Sequence, residues 1–424
     1  MLNGTVLTAA DATPPEGWRP SDPAYRRTTF ALFLAGVATF ALAYAPQPLL
    51  PVLRDEFSVT PAMATLSLSA TTVTLGLALL FFGPLSDAVG RVRLMQVTML
   101  VAALIGVAPA FATSWEQVLV LRAALGVALA GLPAVATAYL REEVHHDWAT
   151  SATGLYIGGT AIGGMAGRLL SGALADLLDW RWALGGIGAL ALAIAVALQF
   201  LLPPSRRFRP SELRPALLAD NARRMVLDRG LMSLYLMGFA LMGAFVAIFN
   251  AMAFRLAAPP FLLSVGVAGL VFVVNGLGSV TSPLGGRLAT RYGARAVVPV
   301  ALAVDLAGIA LTLVDTLWAI ALGLALVTSG FFAAHGVVSA WVTARASRKG
   351  PGTAMAGSLY LAFYYFGSSV MGALAGTTWS AGGWLAVAAL CGGLIGFALL
   401  LAVGMRRVPE IAHPSFDVPP ATAA

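Results

Sequence analysis

Four ionisable side chains stand inside long apolar stretches of this sequence: Arg122, Arg168, Asp305 and His335. A charge in that setting is costly, so such residues are functional candidates by default. His335 has the chemistry of a proton carrier, because an imidazole gains and loses its proton at about pH 6.5. Asp305 is a second candidate for proton coupling, with an interhelical bond to a polar neighbour as its other use. The two arginines are fixed positive charges. They would favour an anionic ligand or sense the protonation of a nearby carboxylate, unless they snorkel to an interface or pair with Asp176 and Asp179. One His, one Asp and Cys391 on separate stretches make neither a metal cluster nor a nucleophile–base pair, so an integral-membrane enzyme is a remote alternative.

Uncharged polar groups extend the set. Gln47 and Asn250 are separated by the same interval as Gly83 and Gly286. That coincidence puts the first pair at equivalent positions of an internal repeat, facing a cavity from both halves. Pro46, Pro48 and Pro51 break the chain around Gln47 and free carbonyls that a ligand could meet. Tyr44, Tyr156, Tyr360, Tyr364 and Tyr365 offer rings and hydroxyls for stacking or hydrogen bonding, with packing as the alternative.

The elements that must hold these residues follow from composition. The chain has 424 residues, 59% hydrophobic and 11% charged, with mean hydropathy +0.84. A soluble protein carries roughly 25% charged residues, so a water-soluble enzyme and a disordered chain are excluded. Twelve stretches reach the length of about 20 apolar residues that a membrane-spanning helix needs: 29–49, 62–82, 94–113, 117–140, 152–174, 181–203, 231–252, 262–283, 295–314, 317–341, 353–376 and 382–405. The fold expected is all-α, with twelve transmembrane helices in two six-helix pseudo-symmetric bundles. A cytoplasmic tail (1–28), a first bundle (29–203), a cytoplasmic linker (204–230), a second bundle (231–405) and a second tail (406–424) divide the chain. The linker is arginine-rich and carries a possible short surface helix. Residues 1–27 have no apolar core of a signal peptide, so no cleaved leader is expected.

Charge sets the orientation. With the N-terminus inside, 21 of the 26 basic residues fall on the same side as both termini and only Arg54, Arg181 and Arg255 on the other. Basic loops stay in the cytoplasm, so both termini are expected there, in a multi-pass protein of the inner membrane. The net charge of +7 belongs to that face, and no nucleic-acid partner is implied. The one lysine, Lys349, lies in no phosphate-binding loop, so ATP hydrolysis and a cofactor are not expected.

After the second stretch comes GPLSDAVGR (83–91), and after the eighth GRLATRYGAR (286–295). Both share Gly-x-Leu-x-x-x-x-Gly followed by arginine. The first glycine, Gly83 or Gly286, would let helices approach closely, and the second, Gly90 or Gly293, permits a positive-φ turn. Asp87 can accept bonds from helix-end amides or pair with a cytoplasmic arginine, locking the inward face when that gate is closed. Gly-x-Leu-x-Asp-x-x-Gly-Arg resembles the signature loop of the major facilitator superfamily, with Ala88 and Val92 departing from its basic positions and Thr290 replacing the aspartate in the second copy. Arg122, four residues before Gly126, resembles a second pattern of that family. The runs IGGMAGRLLSG (162–172), FFAAHG (331–336) and LYLAFYYFGSSV (359–370) resemble the acriflavine-sensitivity group of efflux permeases.

That resemblance implies a monomeric secondary transporter that moves a small molecule by alternating access, with spans one, four, seven and ten lining the cavity. Proton-coupled efflux of a drug, sugar or metabolite is the expectation, and uptake of a small organic anion or sugar the alternative. Spans one, four, seven and ten hold no Asp or Glu, which counts against cationic drugs. The substrate-binding set is then Tyr44, Gln47, Arg122, Tyr156, Arg168, Asn250, Tyr360, Tyr364 and Tyr365, the coupling set His335 and Asp305, and the gate the two signature loops. The glycine run 154–172 is expected to be helix packing and hinge.

Overall fold

Backbone amides with no water to bond must bond within their own segment, and these apolar runs do so as helices. The computed structural model describes residues 16–208, 215–348 and 353–405; Arg209, Arg214, Lys349, Arg406, Arg407 and the outer parts of both tails lie outside them. The first half holds α1 (Pro23–Tyr44), the short α2 (Leu50–Glu56), α3 (Pro61–Val89), α4 (Arg91–Val107), α5 (Trp115–Leu129) continued by α6 (Gly131–Glu143), α7 (His146–Leu177) and α8 (Trp180–Leu201). In the connection lies α9 (Pro215–Leu227). The second half holds α10 (Arg229–Ala257), then α11 (Val265–Gly269) running through a 3-10 segment into α12 (Gly278–Tyr292), then α13 (Ala294–Leu311), α14 (Leu317–Ser347) and α15 (Thr353–Gly404).

Two crossings are fused in α15. They part where Gly382 and Gly383 leave helical geometry, Gly383 at φ 59°. Among the described residues, 10 helical stretches could cross a membrane by length and composition alone, the last long enough for two passages. The glycine-rich α7, 32 residues long, completes two sets of six crossings. The all-α, two-bundle architecture is present.

The boundaries of span one differ from the hydropathy reading. Helix α1 begins at Pro23 and stops at Tyr44, whereas the apolar run extends from 29 to 49. Proline at 46 and 48 has no N–H to donate and disfavours helix in the residue before it, so the helix ends ahead of the apolar sequence.

Glycines set the helix spacing. A Cβ at Gly159 or Gly163 of α7 would overlap the carbonyl oxygen of Phe33 or Val37 in α1, and one at Gly167 would stand 2.5 Å from the Cα of Ala41. This four-residue stripe lets two backbones touch, which is how helices gain packing contacts where lipid supplies no hydrophobic drive. The second half repeats it, with Gly367 of α15 against the Phe239 carbonyl of α10. The glycine run of α7 is thus packing, as expected.

The end that carries the termini is tied together by one junction. Trp18 donates its N–H to the Glu143 carbonyl (2.8 Å) and accepts from the His145 N–H (3.0 Å), and its ring meets Tyr139 edge-on. The buried Glu143 side chain accepts the N–H groups of Arg206 (2.8 Å) and Arg207 (2.9 Å). The chain before α1 and the start of the linker are both held on the first bundle.

Gly163→Ala is therefore expected to cost about 1–3 kcal/mol of stability by overpacking, while Gly158→Ala, whose Cβ meets nothing within 4 Å, is neutral or slightly stabilising. Thermal unfolding of the two purified variants checks the contrast.

Candidate functional site

The site starts from a helix that ends inside the apolar layer. At the C-terminus of α1 the carbonyls of the last turn have no helical partner. Arg122 of α5 supplies one: its Nη1 donates to the Leu42 carbonyl (2.9 Å) and its Nη2 to the Ala43 carbonyl (2.5 Å). Its Nε donates to the Ser67 carbonyl of α3 (3.0 Å), and the Ser171 hydroxyl of α7 donates to Ala45 (2.7 Å). A cation at a helix C-terminus also meets the negative end of the helix dipole. Each nitrogen of the Arg122 fork bonds a carbonyl, so in this conformation the side chain positions the break.

Gln47 hangs from that break. Its Nε2 donates to Oδ1 of Asn250 in α10 at 2.7 Å, and Nδ2 of Asn250 donates to the Gly372 carbonyl of α15 (3.2 Å). The two repeat-related residues meet directly across the two bundles. The Oε1 of Gln47 accepts from Nε of Arg168 (2.5 Å), whose Nη1 donates to Gly164 (2.5 Å). The guanidinium lies 4.2 Å from the Tyr44 ring centroid and 5.1 Å from that of Phe272. Neither alternative read for Arg168 is realised. It is buried, and Asp176 and Asp179 are engaged elsewhere: Asp179 caps the Trp182 N–H (2.9 Å), and Asp176 accepts from the Ser264 hydroxyl (2.6 Å) and the Gly266 N–H (2.9 Å).

In the second half, Nδ1 of His335 shares a hydrogen bond with the Tyr360 hydroxyl at 2.8 Å. Of the partners considered from sequence, this span-eleven tyrosine holds it, not Ser329 or Ser339. The His335 ring packs against Tyr364 (4.7 Å between centroids) and lies parallel to Phe331. Tyr364 also packs edge-on against Tyr365. Tyr365 packs its Cβ at the α3 backbone beside Gly76, and Tyr156 is buried with its hydroxyl unpartnered among the described residues.

Asp305 departs from its expected bond to a polar neighbour. It is 2% exposed, and its Oδ1 has no partner among the described residues. Gly330 is the cause of the enclosure: a Cβ there would stand 2.7 Å from the Asp305 backbone nitrogen, so α14 presses on α13 and shuts the carboxyl between helices. It lies outside the Gln47–Asn250–Arg168 cluster.

The halves meet at the end away from the termini. Besides Gln47–Asn250 and Asp176–Ser264, the Thr72 and Ser369 hydroxyls share a bond (2.7 Å) and Thr65 donates to the Ala373 carbonyl (3.2 Å). At the other end Arg91 pairs with Asp87 (2.5 Å) and Glu142 (2.7 Å), and Arg345 with Asp228 (2.7 Å), each within one half. Gly90 (φ 102°) and Gly293 (φ 83°) make the turns their motif requires. Gly83 and Gly286 do not make the close approach read for them, since a Cβ at either meets nothing within 4 Å.

The Asp176 contact and the Thr72–Ser369 pair were not among the sequence candidates. Asp176 was read only as a pairing partner for the buried arginines, and the opposing N-terminus of α11 gives it its role.

The major facilitator superfamily model matches residues 32–256. The chain belongs to the major facilitator superfamily. It is 45% identical over 386 residues to the inner membrane transport protein YnfM of Escherichia coli (strain K12), covering 91% of this chain and 92% of that one. It is 43% identical over 385 residues to the uncharacterized MFS-type transporter YybF of Bacillus subtilis (strain 168), covering 91% and 94%. Among solved structures, a bacterial homologue of the human lysosomal transporter Spinster, inward-facing and unoccupied, superposes with TM-score 0.70 at 17% identity, over 91% of this chain and 94% of that one. The superfamily member described here is a multi-pass membrane transporter and not an enzyme.

Arg122→Ala takes the donor from the buried Leu42 and Ala43 carbonyls, while the Ser67 carbonyl keeps Thr71, and is expected to cost at least ~2 kcal/mol. Arg122→Lys recovers only part, because a single ammonium cannot span the fork's three acceptors. Thermal unfolding in detergent, with transport in reconstituted vesicles, measures both.

Proposed function

We propose that this transporter is proton-coupled, that its cargo is a small molecule bound beneath the Gln47–Asn250 contact, and that His335 carries the proton. The observation that supports this most is the packing of His335 with Tyr360 and Tyr364 in the second bundle, which Arg168 of the first bundle meets across the interface through Gln47–Asn250 and Phe272. A titratable group and a fixed charge then share one interface that must part when the bundles rock. Protonation of His335 changes the relative stability of the two arrangements, which is the requirement for coupling.

The arginine excess at the termini supports an inner-membrane orientation with both ends in the cytoplasm. In that frame the cavity is open inward and closed outward, the protein acts as a monomer, and the signature loops with Gly83, Asp87, Arg91 and Gly286 form the inner gate that closes in the opposite state. Asp305, enclosed away from the cluster, is left without a step in this reading. Export in exchange for protons, as the likeness of 162–172, 331–336 and 359–370 to acriflavine-sensitivity permeases implies, is the second reading. It requires proton and cargo to exclude one another.

His335→Gln tests coupling in proteoliposomes. Acceleration of transport by an imposed pH gradient is expected to be lost while substrate counterflow persists. Wild-type acceleration in this variant contradicts the role given to His335.

A further inference from the structure

Two buried arginines serve the same broken helix, and their nitrogens are used differently. Arg122 has given all three to backbone carbonyls. Arg168 has given Nε to Gln47 and Nη1 to Gly164, and its Nη2 makes no hydrogen bond among the described residues. The rings of Tyr44 and Phe272, 4.2 and 5.1 Å from the guanidinium carbon, hold the fork in place. No carboxylate lies within ion-pair distance of it among the described residues, although Arg168 is only 4% exposed. A charge buried in that way is unfavourable until a counter-charge arrives. The surroundings that would receive one are flat and apolar on their faces, with hydroxyls at their edges.

We infer that the cargo is an organic anion, a carboxylate with a planar apolar body, which meets Nη2 of Arg168 and stacks against Tyr44, Phe272 and Tyr364. This rests on the reading that cargo binds beneath the Gln47–Asn250 contact. Guanidinium and carboxylate make short, charge-assisted hydrogen bonds, and rings around the cation favour a partner that covers them.

The anion also settles how proton and cargo are related. The titratable groups facing His335 are Tyr360 and Tyr364 from α15, and Arg168 from α7 is the buried charge that meets the second bundle, at Phe272. No carboxylate bonds His335 among the described residues. A proton on His335 therefore adds a second positive charge to this interface, and a bound anion offsets both. Proton and anion reinforce one another, by the same factor in each direction. Cargo and proton then travel together, and an inward proton gradient drives uptake rather than export.

The test uses the full chain in nanodiscs, titrated with benzoate, cinnamate and phthalate and with the neutral and cationic counterparts benzamide and benzylamine. At least one carboxylate is expected to bind ~10-fold or more tightly than benzamide, more tightly below the imidazole titration range than above it, with benzylamine not binding. Arg168→Gln is expected to weaken that carboxylate ~30-fold or more, with partial recovery in Arg168→Lys. Should the glutamine variant fail to fold, the wild-type series decides alone. Benzylamine or benzamide binding as tightly as every carboxylate, no carboxylate binding, or unchanged carboxylate affinity in a folded Arg168→Gln overturns the inference. If the anion inference fails while His335→Gln still abolishes the response to a pH gradient, proton coupling stands. If a carboxylate binds through Arg168 and no pH gradient drives it, coupling fails and the anion site stands.

Discussion

A helix that stops inside an apolar layer leaves carbonyls with nothing to accept from, and that constraint organises this protein. The end of α1 at Tyr44 is tolerable because Arg122 reaches it with a fork already anchored on α3. Without the break, Gln47 would be one more residue on a helix face. With it, the amide projects between the bundles, bonds Asn250 on one side and accepts from Arg168 on the other. The same irregular backbone that costs stability creates the polar cluster at the centre of the fold.

The rest of the architecture keeps that cluster placed while leaving the bundles free to move. Glycine stripes fix α7 against α1 and α15 against α10 with backbone contact, so the helices bearing Arg168, Gln47, Asn250 and the tyrosines cannot slip. Between the bundles, hydrogen bonds such as Thr72–Ser369 and the Asp176 cap on the start of α11, each worth about 1 kcal/mol net, stand beside a close backbone approach of Gly376 in α15 to Pro61 and Ala62 at the start of α3. These are the contacts that the proposed alternating access requires to open.

Much of this was legible in the residues, and the failures share a cause. The equal intervals linking Gln47 with Asn250 and Gly83 with Gly286 revealed the repeat, and the amide pair does meet. The prolines after Tyr44 marked the break, though hydropathy placed the helix end too late because apolar character continues through a turn that proline forbids to be helical. Arg122 looked like a ligand-binding charge, yet its partners are backbone carbonyls, which every residue carries and no sequence pattern singles out. Asp305 was expected to find a polar partner, but the pressure of Gly330 on its backbone depends on how α13 and α14 cross. Asp176 and Ser264 come from opposite halves, with no spacing rule connecting them. What escaped was contact between distant backbones, whereas local breaks and repeat symmetry were visible.

The central claim is that the bundles close against one another at the end away from the termini and must part there during transport. Thr72→Cys with Ser369→Cys tests it most directly, since the two hydroxyls touch at 2.7 Å and the native Cys391 is buried. The account predicts that oxidation in reconstituted vesicles forms this cross-link, arrests transport, and that reduction restores it. A fully cross-linked protein that still transports at the uncross-linked rate would contradict the account.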